Sequence, residues 1–527
     1  MKPRQFFYRM HYGLRAKRHN EITRYLSNSQ KKTSVPLKLV PSISRPHSYD
    51  NDRFRFLNRE KRFGNCIQWD YSDFGKLWNY NLNYFDFLNQ REMGVNGGLG
   101  LIQNFINASL QSKTCMEPYP ISLRTLNWIK FFSQNKIQDQ QIDACLYAQV
   151  KVLANNLEYH LLGNHLLENG VALFFAAFYF KDRKLYRQAE KILVAELDEQ
   201  ILADGGHFEL SPMYHHIMLE RLLDCTNLAQ NNPAIYKSIS NAGKEELIQT
   251  IKAKASAMLG WLWEMTFADG DIPLVNDSAF EIASDSAELK KYAKRLGVGE
   301  TVVPLKESGY RKIRGKNFEV LIDIGNIGPD YIPGHAHADT FNFLLYVHNQ
   351  PVIVDTGTST YENNKLRYYQ RSTNAHNTVE INGKNQSEVW GSFRVARRAR
   401  VFSINETADR LSACHDGYRR LPGKPVHKRT WRFFEDGLEI EDEIKGQFQE
   451  TVARFHFHPK TKLQVLKSDS SYGAIEVPEA PSIKWQILKG TARWTETTYH
   501  PQFNLSQPNN CLEIRFSEPT TAIRFSW

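Results

Sequence analysis

Between Gly334 and His376 the chain reads GHAHADTFNFLLYVHNQPVIVDTGTSTYENNKLRYYQRSTNAH, which carries His335, His337 and His376 together with Asp339 and Asp355. Imidazole exchanges protons near neutral pH and also binds metals, and carboxylates serve either task. One histidine alone is more often a hydrogen-bonded core or surface group than a reactive one. The clustering argues for more here. His335 and His337 are two residues apart, so on an extended segment they point to opposite faces. That predicts separate tasks: His335 turned toward a cleft, and His337 converging with Asp355 and His376 from adjacent strands. Two imidazoles and a carboxylate make either a zinc site or a hydrogen-bonded polar network, and spacing leaves both open.

Two further constellations lie upstream. In GNHLLENG (Gly163 to Gly170), Asn164 and Glu168 share a helical face with His165 beside them. Asn164 is equally a candidate N-cap, with Leu166 and Leu167 opening an apolar face. In ELSPMYHHIML (Glu209 to Leu219), a helix starts at Ser211 or Pro212 and places Tyr214 and His215 in its first turn. The positive end of a helix favours a phenolate there, although a helical tyrosine is more commonly a core residue.

The elements that must position these residues fall into two kinds. From about Gly98 to about Leu296 the apolar period is that of helices, over Leu99–Leu110, Ser122–Phe132, Ile142–Leu161, Leu166–Phe180, Leu185–Ile201, Met213–Leu228 and Glu245–Met265. EPYP at Glu117, DGG at Asp204 and NNP at Asn231 punctuate them. Consecutive helices without strands predict an all-α bundle or toroid. After a connector at Gly297 to Gly309 the period becomes two, in Phe318–Gly325, Thr340–Val347, Thr430–Ile444, Thr451–His458, Ile483–Gly490, Leu512–Ser517 and Ala522–Trp527. With hairpin turns expected at Asn382–Gly383 and Asp436–Gly437, this half reads as an antiparallel sandwich. The expectation is a multidomain α+β chain: a basic arm over 1–62, a helical domain over 63–300 and a β-sandwich over 301–527. The aromatic segment Cys66 to Gln90 lacks clean periodicity and reads as an irregular wrapping segment or the edge of a cleft.

Composition narrows the function. Residues 1–62 hold 16 Lys and Arg against 4 Asp and Glu, so within a net charge of +10 the remaining chain carries −2. A basic arm suits nucleic acid, anionic lipid, an acidic polymer or plain solvation, and no nucleic-acid motif accompanies it, so no nucleic-acid partner is expected. The six cysteines form no CxxC pair, which excludes a thiolate zinc site or a disulfide framework. No secretory apolar run and no stretch long enough to span a bilayer stands out, which makes the cytoplasm the default compartment and leaves the periplasm open.

Taken together, GNHLLEN, SPMYHH, PGHAHAD, VDTGT and RSTNAHNTVEING resemble the heparinase II/III family of polysaccharide lyases, from about Trp69 to the C-terminus. The resemblance implies an (α/α) toroid followed by an antiparallel β-sandwich with a cleft between them. It also implies β-elimination on a uronate-containing polysaccharide. Removing the C5 proton of a uronate requires the neighbouring carboxylate's charge to be quenched, which calls for amide and imidazole donors. By resemblance Asn164 and His165 are those donors, Tyr214 and His335 are the proton-transfer pair, and Glu168 is a secondary candidate. His337, Asp355 and His376 match a structural zinc site that holds the loop carrying His335. Arg124 and Arg371, with His215, are reasonable contacts for an acidic sugar. Stretches such as EPYPISLRTLNWIKF also suggest surface-polysaccharide assembly. The competing classes are a non-lytic glycan-binding or assembly protein of the same fold, and a glycoside hydrolase, which needs a carboxylate pair.

Overall fold

The structure is a computed structural model that describes residues 2–15, 22–30, 32–64, 66–111, 115–240, 246–465 and 471–527. The expected helix start at Glu245 and part of the basic arm, residues 16–21 and 31, lie outside the described residues. The chain divides into two compact units, one formed by Met1–Ile201, Ile217–Leu259 and Ala287–Thr301, the other by Leu202–His216, Gly260–Ser286 and Val302–Trp527. Two segments of the helical half, one of them carrying Tyr214, therefore belong with the sheets.

The first unit is built on the helices Val95–Gln111, Pro118–Asn135, Gln140–Asn155, Gly163–Tyr179 and Arg183–Gln200. Asp139 caps one by accepting from the backbone of Gln141 and Ile142, and Asp182 caps another through Lys184 and Leu185. In Gly163–Tyr179 every residue except His165 is buried, the polar Asn164, Glu168 and Asn169 included. The helix expected to run to Leu161 stops at Asn155, because the next segment is tied elsewhere: Glu158 N–H donates to the Asn169 side chain at 2.8 Å. The aromatic stretch expected to be irregular contains the helix Lys76–Tyr84, and Trp78, Phe85 and Phe87 are fully buried. Its aromatics fill a core. The basic arm is folded too, into the helices Pro3–Arg15 and Thr23–Ser29 and a small sheet over Tyr49–Arg62 anchored by buried Phe54 and Phe56.

The named strands of the second unit pair antiparallel. Its largest sheet runs in the order Val401–Glu406, Arg410–His415, Val426–Phe434, Gly437–Lys445, Thr520–Ser526, Ile483–Lys489, Tyr472–Glu476, Lys462–Val465. A second sheet orders Thr491–Tyr499, Gln507–Phe516, Thr451–His456 and Val379–Ile381, and a third orders Tyr310–Arg314, Phe318–Asp323, Phe343–Val347 and Gln350–Ile353. Alternate residues of all three, among them Val320, Leu345, Trp431, Phe455, Trp485 and Phe525, share one core. The turn at Asn382–Gly383 has the positive φ its sequence demands, 53° and 61°. The other predicted turn falls one residue earlier, at Glu435–Asp436, since Phe434 pairs with Gly437. Gly437 is required instead by a close approach: a Cβ there would sit 2.5 Å from the Phe525 carbonyl oxygen.

Candidate functional site

The segment Gly334–Asp339 is not a strand, so the alternation expected of His335 and His337 does not hold. Both rings reach one carboxylate. His335 Nδ1 lies 2.9 Å from Asp277 Oδ2, and His337 Nε2 lies 2.9 Å from Asp277 Oδ1. Arg367 grips both oxygens of the same group, its Nη2 donating at 2.7 Å. Burial alone would push this carboxyl up, but Arg367 and the two imidazoles hold it well below the usual range, so it is a fixed anion. An ionised acceptor on Nδ1 keeps that nitrogen protonated and leaves the Nε2 lone pair of His335 as the basic atom.

Tyr214 packs against His335, with ring centroids 4.1 Å apart and planes tilted by 34°, and its hydroxyl is 3.4 Å from that of Tyr361. The helix Pro212–Asn231 brings it there, with Ser211 Oγ accepting from Tyr214 N–H at 3.3 Å. Ser211 in turn donates to the Asp277 carbonyl oxygen at 2.8 Å, so the tyrosine and the aspartate share one support. The phenolate expected from the helix end is overridden. Burial, joined by the charges of Asp277 and Glu209, raises the phenol well above its ordinary value despite the Tyr361 hydroxyl and Arg367, leaving Tyr214 a neutral acid. His335 is partly open, at 14% side-chain exposure, with Glu209 Oε2 3.9 Å from its Nε2.

Sequence reasoning missed Asp277, Arg367, Tyr361 and Glu209. Asp277 sits in VNDS, three polar or charged groups after an apolar run, and Arg367 lies one helical turn before Arg371, the arginine chosen instead. Neighbouring Asn276 bonds the Leu210 carbonyl oxygen at 3.0 Å and accepts from His337 N–H at 3.1 Å. Non-glycine residues with positive φ stand beside the candidate groups: Leu162 at 65°, Leu210 at 57°, Asn276 at 53° and Phe341 at 70°. Such backbone strain gathers where geometry is fixed for a purpose.

His376 Nδ1 lies 2.9 Å from Asp355 Oδ2, and the rings of His376 and His337 are 5.3 Å apart. Both oxygens of Asp355 are already occupied, Oδ1 by Gly357 N–H and Oδ2 by Asn342 and His376. Among the described residues no three His, Cys, Asp or Glu groups converge as a cation cage. His337 Nδ1, His376 Nε2 and Asp339 Oδ2 are nevertheless buried polar atoms without a hydrogen-bond partner. Burial lowers His337 to about 4, which keeps it neutral and ligand-competent.

In the helical unit Asn164 is not the N-cap, which is Leu162 without a side-chain cap; Asn164 stands one residue inside the helix and is buried. His165 packs on Tyr119 at 4.4 Å with the rings tilted by 41°, and its Nδ1 lies 2.9 Å from Glu158 Oε1, while Asn169 Nδ2 donates to the other oxygen, Oε2, at 2.9 Å. Four expected sugar contacts are corrected by burial. Glu168 is fully enclosed and receives Arg221 Nε on both oxygens, at 2.9 and 3.0 Å. Arg124 donates to Gln149 and to the carbonyls of Asn83 and Cys115, and Arg371 to those of Ala336, Gly391 and Arg394. His215 is buried against Trp261 at 4.3 Å. These four hold the framework.

An antiparallel β unit bearing an imidazole–phenol pair fixed by a buried carboxylate, together with a unit of helical hairpins, defines a two-unit α+β class of protein. Residues 121–297 match the model described as heparinase II/III N-terminus, and residues 298–527 match heparinase II/III-like, C-terminal. The chain belongs to the heparinase II/III family. It is 22% identical over 382 residues to a heparin-sulfate lyase of Bacteroides stercoris, covering 66% of this chain and 54% of that protein. A heparin-sulfate lyase of Bacteroides thetaiotaomicron is 25% identical over 281 residues, covering 45% of this chain and 39% of that protein. The chain thus spans about half the length, or less, of the curated relatives it matches. Among solved structures, one titled heparinase III superposes with a TM-score of 0.67 at 15% identity, covering 98% of this chain and 90% of the other. A heparan sulfate lyase mutant from Pedobacter heparinus gives 0.61 at 16% identity with the same coverage. These likenesses support the α+β fold.

Proposed function

We propose that this protein is a polysaccharide lyase that cleaves a uronate-containing polysaccharide by β-elimination. The observation that carries the reading is the contact of Tyr214 with His335 while Asp277 holds the far nitrogen of His335. His335 Nε2 takes the C5 proton. The C5 electron pair passes through the enolate-like state of the carboxylate and forms the C4–C5 double bond as the C4–O4 bond breaks. Tyr214, kept neutral by burial, gives its hydroxyl proton to the departing O4. Asn164 and His165 are assigned the amide and imidazole donors that quench the uronate carboxylate. The relatives called heparin-sulfate lyases point to glycosaminoglycan-type uronates.

A glycoside hydrolase is disfavoured by the state of its carboxylates. Asp277 is saturated by Arg367, His335 and His337, and Glu168 by Arg221, so neither is available as nucleophile or acid. For the zinc site, His337 Nδ1 and His376 Nε2 would be the nitrogen donors and Asp355 the carboxylate, which would give up one of its present hydrogen bonds, while Asp339 Oδ2 is an oxygen already without a partner. A zinc ion there would brace the loop carrying His335 without entering the reaction.

A panel of uronate polysaccharides incubated with the protein, followed by the ultraviolet absorbance of unsaturated uronate, tests the activity. Absorbance should rise on at least one polymer and vanish in Tyr214→Phe; a Tyr214→Phe protein of undiminished rate would remove the tyrosine from the mechanism. Zinc analysis of wild type and His337→Ala tests the metal. Stoichiometric zinc in the first and none in the second is expected, and a zinc-free wild type whose stability chelators leave unchanged would refute the site.

A further inference from the structure

The basic arm contributes nothing to the chemistry above, and one side of it is unaccounted for. Its first helix, Pro3–Arg15, is fixed along one face: Gln5 donates to the Leu161 carbonyl oxygen at 3.0 Å and Tyr12 to that of Leu157 at 2.6 Å. The Tyr8 ring packs on Tyr159 at 4.7 Å, and the Arg4 guanidinium lies 3.9 Å over the same ring. A salt bridge from Lys2 to Glu199 adds to the hold. The opposite face carries Phe6, Phe7 and Met10, which are 60%, 62% and 57% exposed and exceed every other large apolar side chain described, the next being Trp263 at 53%. A helix anchored this firmly has no reason to display two phenylalanines and a methionine to water unless something covers them.

Charge identifies the cover. Residues 1–20 contain six Lys and Arg and no Asp or Glu, and Arg9 lies exposed beside the apolar stripe. An apolar stripe with the exposed Arg9 beside it, on a segment whose sequence carries only positive charge, is complementary to an anionic lipid surface, with the rings entering the acyl boundary and the cation meeting the headgroups. A second copy of the chain fits poorly. At about 200 Å² per large side chain the stripe exposes roughly 350 Å², well under the ~800 Å² per partner of a stable interface, and two such faces would repel.

We propose that the outer face of Pro3–Arg15 docks the protein on an anionic membrane surface through Phe6, Phe7 and Met10. The helix is presented ready-formed by the body, so binding costs little ordering, and anchoring is reversible because a single short amphipathic helix holds weakly. The lyase would then act on polymer at a membrane.

Co-sedimentation of the full chain with phosphatidylcholine vesicles, with and without phosphatidylglycerol and at low and high salt, tests this. The protein should sediment with the anionic vesicles at low salt, be released by high salt, and ignore neutral vesicles. A triple Phe6→Ser, Phe7→Ser, Met10→Ser variant should bind about tenfold more weakly, with any lyase activity unchanged because the three side chains are exposed and belong to no part of the site. Arg9→Glu, at an exposed position, should weaken binding in the same direction and supplies the reading if the triple variant folds poorly. Equal sedimentation of wild type and both variants would overturn the proposal. So would a concentration-dependent dimer that the triple variant abolishes, or a soluble acidic polysaccharide that binds wild type and triple variant alike while vesicles bind neither.

Discussion

Glu168 and Asp277 are both enclosed carboxylates gripped by an arginine, and they do opposite things. Glu168 faces Arg221 alone, with Glu220 and Asp224 near; burial pushes its carboxyl up, and the attraction of Arg221 does not fully offset it. Asp277 has its arginine and also two imidazoles, so it stays ionised and spends its remaining lone pairs orienting His335 and His337. A buried ion pair becomes functional when it has lone pairs left for a group that must move protons. Glu168 meets Arg221 Nε, and among the described residues no imidazole bonds to it.

That contrast can be broken by experiment. The largest effect is expected from Asp277→Asn, which keeps the shape but can donate to His335 Nδ1 and so reverse the imidazole tautomer; kcat should fall about a thousandfold with KM little changed. Steady-state kinetics with nitrogen-resolved NMR of His335 would read both, and a full kcat would place Asp277 among the merely structural residues. Glu168→Gln should instead cost stability, about 3 kcal/mol for stranding a buried Arg221, while the folded fraction retains its kcat. Denaturant unfolding and active-site titration separate the two quantities. A Glu168→Gln protein of native stability that had lost activity would return Glu168 to the site.

A third buried carboxylate sharpens the contrast with a smaller effect. Glu196 has the Gln200 amide at 2.8 Å, and burial raises it from 4.5 to about 7. A carboxyl raised by folding is neutral in both states below pH 4.5, so its cost is absent there; it builds as pH climbs toward about 7, where the folded group must finally ionise. Stability should therefore decline across that window by up to about 2–3 kcal/mol from this residue. Glu196→Gln should flatten the decline, as thermal melts at several pH values would record, and an unchanged slope would mean Glu196 is not the group responsible.

Much of this was legible in the chain because periodicity survives in sequence. The run through Leu166–Phe180 keeps a helical apolar period and is buried throughout, and the alternation in Thr430–Ile444 became two paired strands. The histidines of GHAHAD and NAH were visible as a cluster. Asp277 was not, since it comes from a short loop far along the chain from its partners and polar loops carry no period. Arg371 was preferred over Arg367, and Glu168 was taken for a sugar contact, because a sequence shows a charge without showing what already neutralises it. The N-cap alternative for Asn164 stayed open because the sign of φ at Leu162, 65°, is invisible in the residue name.

The central claim is elimination driven by the Tyr214–His335 pair, and the mass of the cleaved chain ends tests it most directly. Digestion of a susceptible uronate polysaccharide in water labelled with heavy oxygen should yield ends lighter by one water than a hydrolytic product and free of label, and His335→Ala should yield none. Labelled, saturated ends, or unsaturated ends produced undiminished by His335→Ala, would contradict the account.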